Sequence, residues 1–346
     1  MKEQLASVRD KFEADCQGLD VEAIDKGLMN ERSKRFDTID VKEYLQLLNA
    51  GSEAVATTTI WTRAMLGREP GEVSTLFFLR YLKAGGGLIA MRQDGKHGGQ
   101  YLRTKQGTQT FCSKLVERLP ADCIVLDTPV TSIEQLSSQY LQVNGNLTCR
   151  KIVCTVPPPV IKDINFIPPL PEAKRRLLDS YGYGYYQKVM AIFKTPFWVR
   201  DGFCGLVSSF KGPACVMRDT SVPDAEFHVL TCFLAGESGK KWSELVSEQA
   251  RQEAVLSQLE NIFGNKVRSE VLEVVGHQWN DERWSGFGCP TSSLPPGVLS
   301  EVGSELETAN GDVHFAGTET SNVWRGFMEG AARSGEREAM KVIAGL

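Results

Sequence analysis

The chain contains 346 residues with a mass of 38.3 kDa, a length that predicts about two domains and excludes a mini-protein. Its hydrophobic content of 42%, charged content of 24% and mean hydropathy of −0.22 are typical of a soluble globular protein and argue against a membrane-embedded class. The net charge of −4, from 39 Lys and Arg and 43 Asp and Glu, is spread along the chain with both signs interspersed, which argues against binding to nucleic acid or to anionic lipid.

The nine cysteines include no CxxC pair, so their spacing predicts neither a zinc site nor a disulfide framework. Residues 1–20 alternate charged and isolated apolar residues and lack the apolar run of a signal peptide. No stretch approaches the ~20 apolar residues that a membrane-spanning helix needs. We therefore expect an intracellular, soluble, cytoplasmic protein with reduced thiols, no metal and no membrane anchor.

Residues 1–96 are predicted to be helical. A capping box at 40–43 opens a segment with apolar residues at i, i+3, i+4 and i+7, which predicts an amphipathic helix that ends at Gly51. The apolar residues are Val41, Tyr44, Leu45 and Leu48. The apolar and aromatic run at 73–83 predicts a more buried helix, which ends before the three glycines at 85–87.

From about residue 98 the pattern changes. A helix is predicted over 108–119, with Phe111, Leu115 and Leu119 on one stripe. The β-branched residues at 124–133 predict a strand.

A hairpin follows in the sequence. Strands are predicted at 139–143 and 146–156 because they flank Asn144-Gly145, a strong two-residue turn signal. Three prolines at 157–159 end this unit, since proline donates no hydrogen bond to a neighbouring strand.

The remainder of the chain alternates helix and strand without an internal repeat. Helices are predicted at 172–178, 247–263 and 325–343, and strands at 185–193, 228–234 and 312–316. The combination predicts an α/β (α+β mixed) fold class.

The most informative segment is the strand, turn and helix near the C-terminus. A helix N-terminus carries unpaired N–H groups and partial positive charge, which suits an anionic or electron-rich ligand edge. Small residues give this helix a smooth face, namely Gly326, Gly330, Ala331 and Gly335. The spacing alone favours the other interpretation, a tight packing contact between the helix and a sheet.

The amino-acid sequence of this segment is more specific than the spacing of its small residues. FAGTETSNVWRGFMEGAARSG, residues 315–335, closely resembles the closing FAD-binding segment of the flavin-containing monoamine oxidase family. Three further blocks occur in the family's order: NFIPPLP at 165–171, YQK at 186–188 leading to KTPFW at 194–198, and Trp279 through Gly288-Cys289 to LPPG at 294–297. The resemblance runs from about residue 40 to the C-terminus.

The resemblance implies an incomplete FAD-binding Rossmann-like domain interleaved with a substrate domain of mixed sheet and helices. The implied boundaries are 1–97 for the helical part of the substrate domain, 98–178 for the middle FAD-binding segment, 179–278 for the sheet part of the substrate domain, and 279–346 for the C-terminal FAD-binding segment.

The implied activity is FAD-dependent oxidation of an amine to an imine, which water hydrolyses to aldehyde and ammonia, with O2 reduced to H2O2. FAD carries the hard chemical step and the protein supplies orientation and electrostatics. Two alternatives stay open: a catalytically inactive or truncated protein that acts as a binding module, and a polyamine or amino-acid oxidase of the same fold. An amino-acid oxidase would need an arginine aimed at a carboxylate, whereas polyamines would favour acidic residues along the entry path.

The resemblance also assigns residues. Lys188 matches the family's lysine near the flavin N5, where it orients a water, and is the implied catalytic residue. Cys289 matches the cysteine that monoamine oxidases link to the flavin, although many relatives bind FAD without that bond. The implied cofactor-binding residues are Cys289, Val130, Trp279, Thr318, Met328 and Gly317.

Phe327 occupies one place of the aromatic pair that guides the amine in this family. Pro290 occupies the other place, so the pair is incomplete. Trp324, Trp284 or Phe287 fills the gap, or the substrate differs from simple aryl-alkyl amines. The implied substrate-binding residues are therefore Phe327, Pro290 and Trp324, and the alternative is that these aromatics are core residues.

The largest departure from the family is the lack of a strand, G-x-G-x-x-G and helix unit, since the glycines at 85–87 have the wrong spacing. That unit neutralises the pyrophosphate, so we expect weak FAD binding and a chain that begins after it. We also expect association, either as a homodimer or with a separate N-terminal nucleotide-binding segment. The expected small-molecule partners are an amine and O2.

Overall fold

The computed structural model describes residues 2–346 and combines helices with short strands. The helices are α1 (Lys2–Gln17), α2 (Val21–Asp25), α3 (Glu31–Asp37), α4 (Val41–Leu47), α5 (Ser52–Leu66), α6 (Thr75–Ala84), α7 (Leu88–Arg92), α8 (Gln109–Val116), α9 (Pro158–Ile161), α10 (Glu172–Ser180), α11 (Phe197–Arg200), α12 (Gly236–Ser243), α13 (Glu248–Phe263), α14 (Lys266–Glu270), α15 (Val298–Val302) and α16 (Met328–Ala344). The strands are β1 (Ser132–Gln135), β2 (Leu141–Val143), β3 (Leu147–Cys149), β4 (Ile152–Cys154), β5 (Asn165–Ile167), β6 (Tyr186–Phe193), β7 (Val207–Ser208), β8 (Val216–Asp219), β9 (His228–Ala235), β10 (Val271–His277) and β11 (Val313–Phe315).

Helices α1 to α7 form a helical body around one apolar core. The predicted capping box is confirmed, because Asp40 Oδ1 accepts from the Glu43 N–H at 2.7 Å and Glu43 Oε2 accepts from the Asp40 N–H at 3.0 Å. Phe12 lies at the centre of this core and makes edge-on contacts with the aromatic rings around it. Those rings belong to Tyr44, Trp61 and Phe78. Residues 294–306 complete the same core from far along the chain.

Across residues 2–346 the strands form three sheets. The largest is antiparallel with the order β10-β6-β9-β8-β7, and β6 alternates buried and exposed residues, as a strand with one covered face does. Helix α13 packs on its covered face and begins at Ser247, whose hydroxyl accepts from the Ala250 N–H at 3.1 Å.

The second sheet has the order β3-β2-β1-β5 and contains the predicted hairpin, which is confirmed. Val143 pairs with Leu147 across a turn in which Asn144 and Gly145 have φ of 52° and 71°. Both values lie in the left-handed region that a two-residue turn of this kind requires. The third sheet pairs β4 with β11 in parallel.

Two predicted strands and one predicted helix are corrected by the structure. The strand expected at 124–133 begins only at Ser132, because Asp127 has φ of 53° and Pro129 cannot donate to a ladder. The strand expected at 146–156 divides into β3 and β4, which belong to different sheets. The last helix begins at Met328 rather than 325, because Trp324 and Gly326 have φ of 51° and 82° and are not helical.

The predicted helix at 108–119 is shorter, and α8 carries no buried residue. Its apolar stripe is at least half exposed at Phe111, Leu115 and Leu119. Among the helices of residues 2–346, none combines the length and the apolar composition needed to cross a bilayer.

Candidate active site

A cavity of about 290 Å³ lies where the helical body, the five-stranded sheet and the C-terminal segment meet. The lining contains a group of aromatic side chains, Tyr81, Tyr186, Phe233 and Phe327, which together with Pro290 we call the aromatic end. It also contains the polar side chains Arg92, Asp94, Gln100 and Arg218, which we call the polar end. A concave apolar site with a few polar groups at one end is the usual form of a small-molecule pocket.

The structure brings two of the predicted substrate residues together. Phe327 and Pro290 both line the aromatic end. The Phe327 ring is stacked on Tyr81 at 6.5 Å with an interplanar angle of 13°. Trp324 lies perpendicular to Phe327 at 5.2 Å but does not line the cavity. Among the cavity-lining residues, Tyr81, Tyr186 and Phe233 supply the rings beside Phe327.

Trp284 and Phe287, the other aromatics considered for this place, are 64% and 52% exposed and do not line the cavity. The sequence did not point to Tyr81, which lies in the apolar run of α6. Tyr186 on β6 and Phe233 on β9 are diagonal neighbours, with ring centroids 6.0 Å apart. Only Tyr186 had a usable signal, since it begins the block that contains Lys188.

The turn before α16 holds Phe327 in place. Thr318 Oγ1 accepts from the Gly326 N–H at 2.6 Å and donates to the Phe327 carbonyl at 3.0 Å. A side chain at 326 would lie 2.8 Å from the Tyr81 ring, so glycine is required there. The buried Arg325 donates to the Glu319 carbonyl and thereby closes the same turn.

Cys289 lies directly behind the aromatic end. Its Sγ is 3.4 Å from the Tyr186 carbonyl, to which it donates. Burial raises the pKa of the Cys289 thiol to about 12, while the nearby positive charge of Lys188 acts in the opposite direction. The thiol is therefore protonated at neutral pH.

Lys188 lies on β6 with an exposed side chain, paired in register with Phe233 on β9 and His277 on β10. Its Nζ is 5.6 Å from the Phe233 ring centroid. Within residues 2–346 its ammonium has no carboxylate within salt-bridge distance. It therefore has donors available for a water or a ligand.

The remaining predicted cofactor residues are spread over three segments outside the cavity wall. Trp279 is 40% exposed, and its backbone N–H donates to Gln187 Oε1 at 2.9 Å. Val130 is 39% exposed and precedes β1. Gly317 donates its N–H to Ser334 Oγ at 2.9 Å.

The N-terminus of α16 fits an electron-rich ligand edge. No side chain caps this helix, and Met328 at its first position is 51% exposed. The N–H groups of the first turn therefore keep their hydrogen-bonding capacity, in the partial positive field of a 17-residue helix. This donor set suits the oxygen and nitrogen atoms along one edge of FAD.

The polar end of the cavity forms a small network. Arg218 pairs with Asp94, and Arg218 Nη1 donates to Gln100 Oε1 at 3.2 Å. Gln100 Nε2 in turn donates to the Met91 carbonyl at 3.2 Å. Arg92 lies beside this network with its guanidinium 5.1 Å from the Trp61 ring centroid.

Several known proteins are similar to this chain. A probable flavin-containing monoamine oxidase A of Dictyostelium discoideum is 31% identical over 92% of this chain and 70% of that protein. Human amine oxidase [flavin-containing] B is 27% identical over 90% of this chain and 60% of that protein. The chain thus spans 60–70% of the length of these two relatives.

Two solved structures share the fold. A putrescine oxidase variant superimposes with a TM-score of 0.90 at 22% identity, over 99% of this chain and 75% of that one. Cyclohexylamine oxidase of Brevibacterium oxydans superimposes with a TM-score of 0.87 at 25% identity, over 98% of this chain and 74% of that one. The predicted mixture of helix and sheet in an FAD-binding amine oxidase fold is confirmed by these matches.

The family comparison covers almost the whole chain, since residues 2–343 match the family described as flavin containing amine oxidoreductase. The resemblance found in the sequence is confirmed by this match. The chain therefore belongs to the flavin containing amine oxidoreductase family, whose implied cofactor is FAD.

Proposed function

We propose that this chain catalyses the FAD-dependent oxidation of an amine to an imine, which hydrolyses to aldehyde and ammonia, with O2 reduced to H2O2. The observation that carries the proposal is that predicted substrate residues and a predicted cofactor residue lie side by side. Phe327 and Pro290 line one cavity, and Cys289 lies behind the same wall, 3.4 Å from the carbonyl of cavity-lining Tyr186. A substrate in the cavity would therefore lie next to the residues assigned to the cofactor.

The residues that would hold FAD are those with unpaired N–H groups and those whose backbone a ligand can approach closely. The first turn of α16 from Met328 and the backbone of Thr318 and Val130 would supply polar contacts. Gly317, whose N–H is bonded to Ser334, would supply a close backbone approach, and Trp279 would supply a flat side chain. Cys289 is the residue that could form a covalent link. The chemistry that FAD supplies when bound is acceptance of hydride equivalents from the carbon next to the amine nitrogen.

The chain's own residues bind and orient the amine. The rings of Phe327, Tyr81 and Tyr186 present apolar faces that exclude water and attract an amine through their π faces. The Lys188 ammonium, which has no carboxylate partner in the described part of the chain, is proposed to orient the water that hydrolyses the imine. Because hydrolysis follows oxidation, the loss of Lys188 should slow product formation more than it weakens substrate binding.

The domain boundaries remain a proposal, with 1–97 and 179–278 in the substrate domain and 98–178 and 279–346 in the FAD-binding domain. The apolar core that residues 133–178 share with Val313 and Phe315 supports the two FAD-binding segments, whereas residues 294–306 pack into the helical core. The cysteines are free thiols, which supports a reducing compartment such as the cytoplasm. The chain is proposed to associate either with a second copy of itself or with a separate nucleotide-binding segment.

The proposal is tested by adding FAD to the purified chain, removing free flavin and recording the visible absorption spectrum. Because binding is expected to be weak, we expect a bound flavin fraction that rises with the FAD concentration, and H2O2 when amines are supplied. Flavin retained in the acid-precipitated pellet of the wild type, but not of Cys289→Ala, would assign a covalent link to Cys289. Cys149→Ala is the matched control, since Cys149 is also half-buried but lies on β3. The absence of both bound flavin and peroxide would refute the proposed function.

A further inference from the structure

The polar end of the cavity contains an arginine that has no counter-ion among residues 2–346. Arg92 lines the cavity and is exposed. Over residues 2–346 its guanidinium forms no ion pair. The guanidinium carbon lies over the Trp61 ring, 5.1 Å from the ring centroid. An arginine presents five donors in a fixed fork, so this side chain has capacity for an acceptor that the protein does not provide.

The other charged groups at this end are already paired. Asp94 is bound by Arg218, and the Gln100 carbonyl oxygen accepts from the same arginine. Of the charged residues that line the cavity, two are positive and one is negative, which leaves one net positive charge on Arg92. A second donor nearby, the buried indole N–H of Trp61, also has no acceptor in the described part of the chain.

This charge distribution discriminates between substrate classes. A diamine would bring a second ammonium towards the positive charge of Arg92. The one carboxylate in the cavity lining, Asp94, is already paired with Arg218 and would not neutralise that ammonium. A neutral alkyl tail would leave the guanidinium without a partner. A carboxylate would accept two parallel hydrogen bonds from the guanidinium, which is the strongest geometry available to this side chain.

We propose that Arg92 is a specificity-determining residue that binds the carboxylate of an amine substrate whose anionic group lies at the end opposite the amine, an ω-amino carboxylate. The inference rests on the proposed function, because it takes the aromatic end as the place of the amine. It narrows the substrate class to one that differs from the putrescine and cyclohexylamine of the solved structures that share this fold.

The test compares three ligands of equal length: 6-aminohexanoate, hexylamine and 1,6-diaminohexane. Binding to the full chain supplied with FAD is measured by isothermal titration, and by the fluorescence of Trp61 through comparison with Trp61→Phe. Hydrogen bonds to charged groups predict that the aminocarboxylate binds about tenfold to a hundredfold more tightly than hexylamine at low salt. The preference should decrease as salt rises, because the guanidinium is partly exposed.

Arg92→Gln should remove the preference, and Arg92→Lys should retain part of it, since it keeps the charge but loses the fork. Arg150→Gln is the matched control, because Arg150 is exposed, lies outside the cavity and forms no ion pair within residues 2–346. Peroxide formation from the same three amines is measured in parallel.

The outcomes separate this inference from the proposed function. Peroxide from hexylamine or the diamine, with no effect of Arg92→Gln on any ligand, would overturn the inference and leave the oxidase in place. Arg92-dependent binding of the aminocarboxylate without bound flavin or peroxide would support the subsite and overturn the oxidase. Equal binding of all three ligands, or no binding of any, would overturn the inference.

Discussion

Thr318 holds the turn that presents Phe327 to the cavity, and its replacement by valine tests that role. Valine has nearly the same shape but lacks the hydroxyl that bonds to Gly326 and Phe327. The Phe327 carbonyl keeps a second donor, the Ala331 N–H at 3.2 Å, so the Gly326 N–H is the group left without a partner. One unsatisfied donor and one weakened acceptor predict a loss of about 2 kcal/mol in the free energy of unfolding.

The assay is urea unfolding followed by tryptophan fluorescence, with FAD affinity measured on the same samples. Thr318→Ser is the matched control, because serine retains the hydroxyl and loses only a methyl group. We expect Thr318→Val to be less stable and to bind FAD and amine more weakly, whereas Thr318→Ser stays close to the wild type. The reasoning is refuted if valine leaves stability and FAD affinity unchanged, or if serine is as damaging as valine.

Three further predictions concern buried polar groups. The buried Lys174 Nζ donates to the Glu305 and Thr308 carbonyls at 2.6 and 2.5 Å. Lys174→Met should therefore lower the free energy of unfolding, measured in urea, by about 2–4 kcal/mol. A variant as stable as the wild type would contradict this. Iodoacetamide at pH 8 should modify the exposed thiols well before Cys289, whose pKa is raised to about 12 by burial, and early modification of Cys289 in peptide mass spectra would contradict this. Burial raises the pKa of both Cys16 and Cys232 from 9.0 to about 12. The stability that these neutral thiols contribute is therefore complete below pH 9 and is lost as the pH rises towards 12. A thermal unfolding midpoint that stays constant from pH 9 to pH 12 would contradict this.

Local signals predicted the elements that depend on neighbouring residues. The capping box at 40–43 and the Asn144-Gly145 turn each satisfy backbone groups within a few positions, so the sequence carries the whole interaction. The resemblance of residues 315–335 led to Phe327, and that of the block around Cys289 led to Pro290; both line one cavity.

Interactions between distant segments were not predictable in the same way. β4 looked like the continuation of the hairpin because its residues favour strands, but its partner is β11, about 160 residues later. Arg92 gave no signal, since a single arginine at the end of a short helix is ordinary. Its importance depends on the pairing of Asp94 with Arg218, which comes from another part of the chain. Pairing of this kind depends on the fold and is invisible to local pattern.

The late completion of the helical core has a consequence for how the chain folds. The Asp37 carbonyl and carboxylate accept from the Gly297 and Ser300 N–H groups at 2.7 Å, and the Ser74 N–H donates to the Leu294 carbonyl at 3.0 Å. During synthesis the first helices would leave the ribosome more than 200 residues before these partners exist. Contacts so distant in sequence slow folding, and the incomplete core exposes apolar surface in the meantime. Expression at lower temperature or with a chaperone that shields nascent chains should therefore raise the soluble yield.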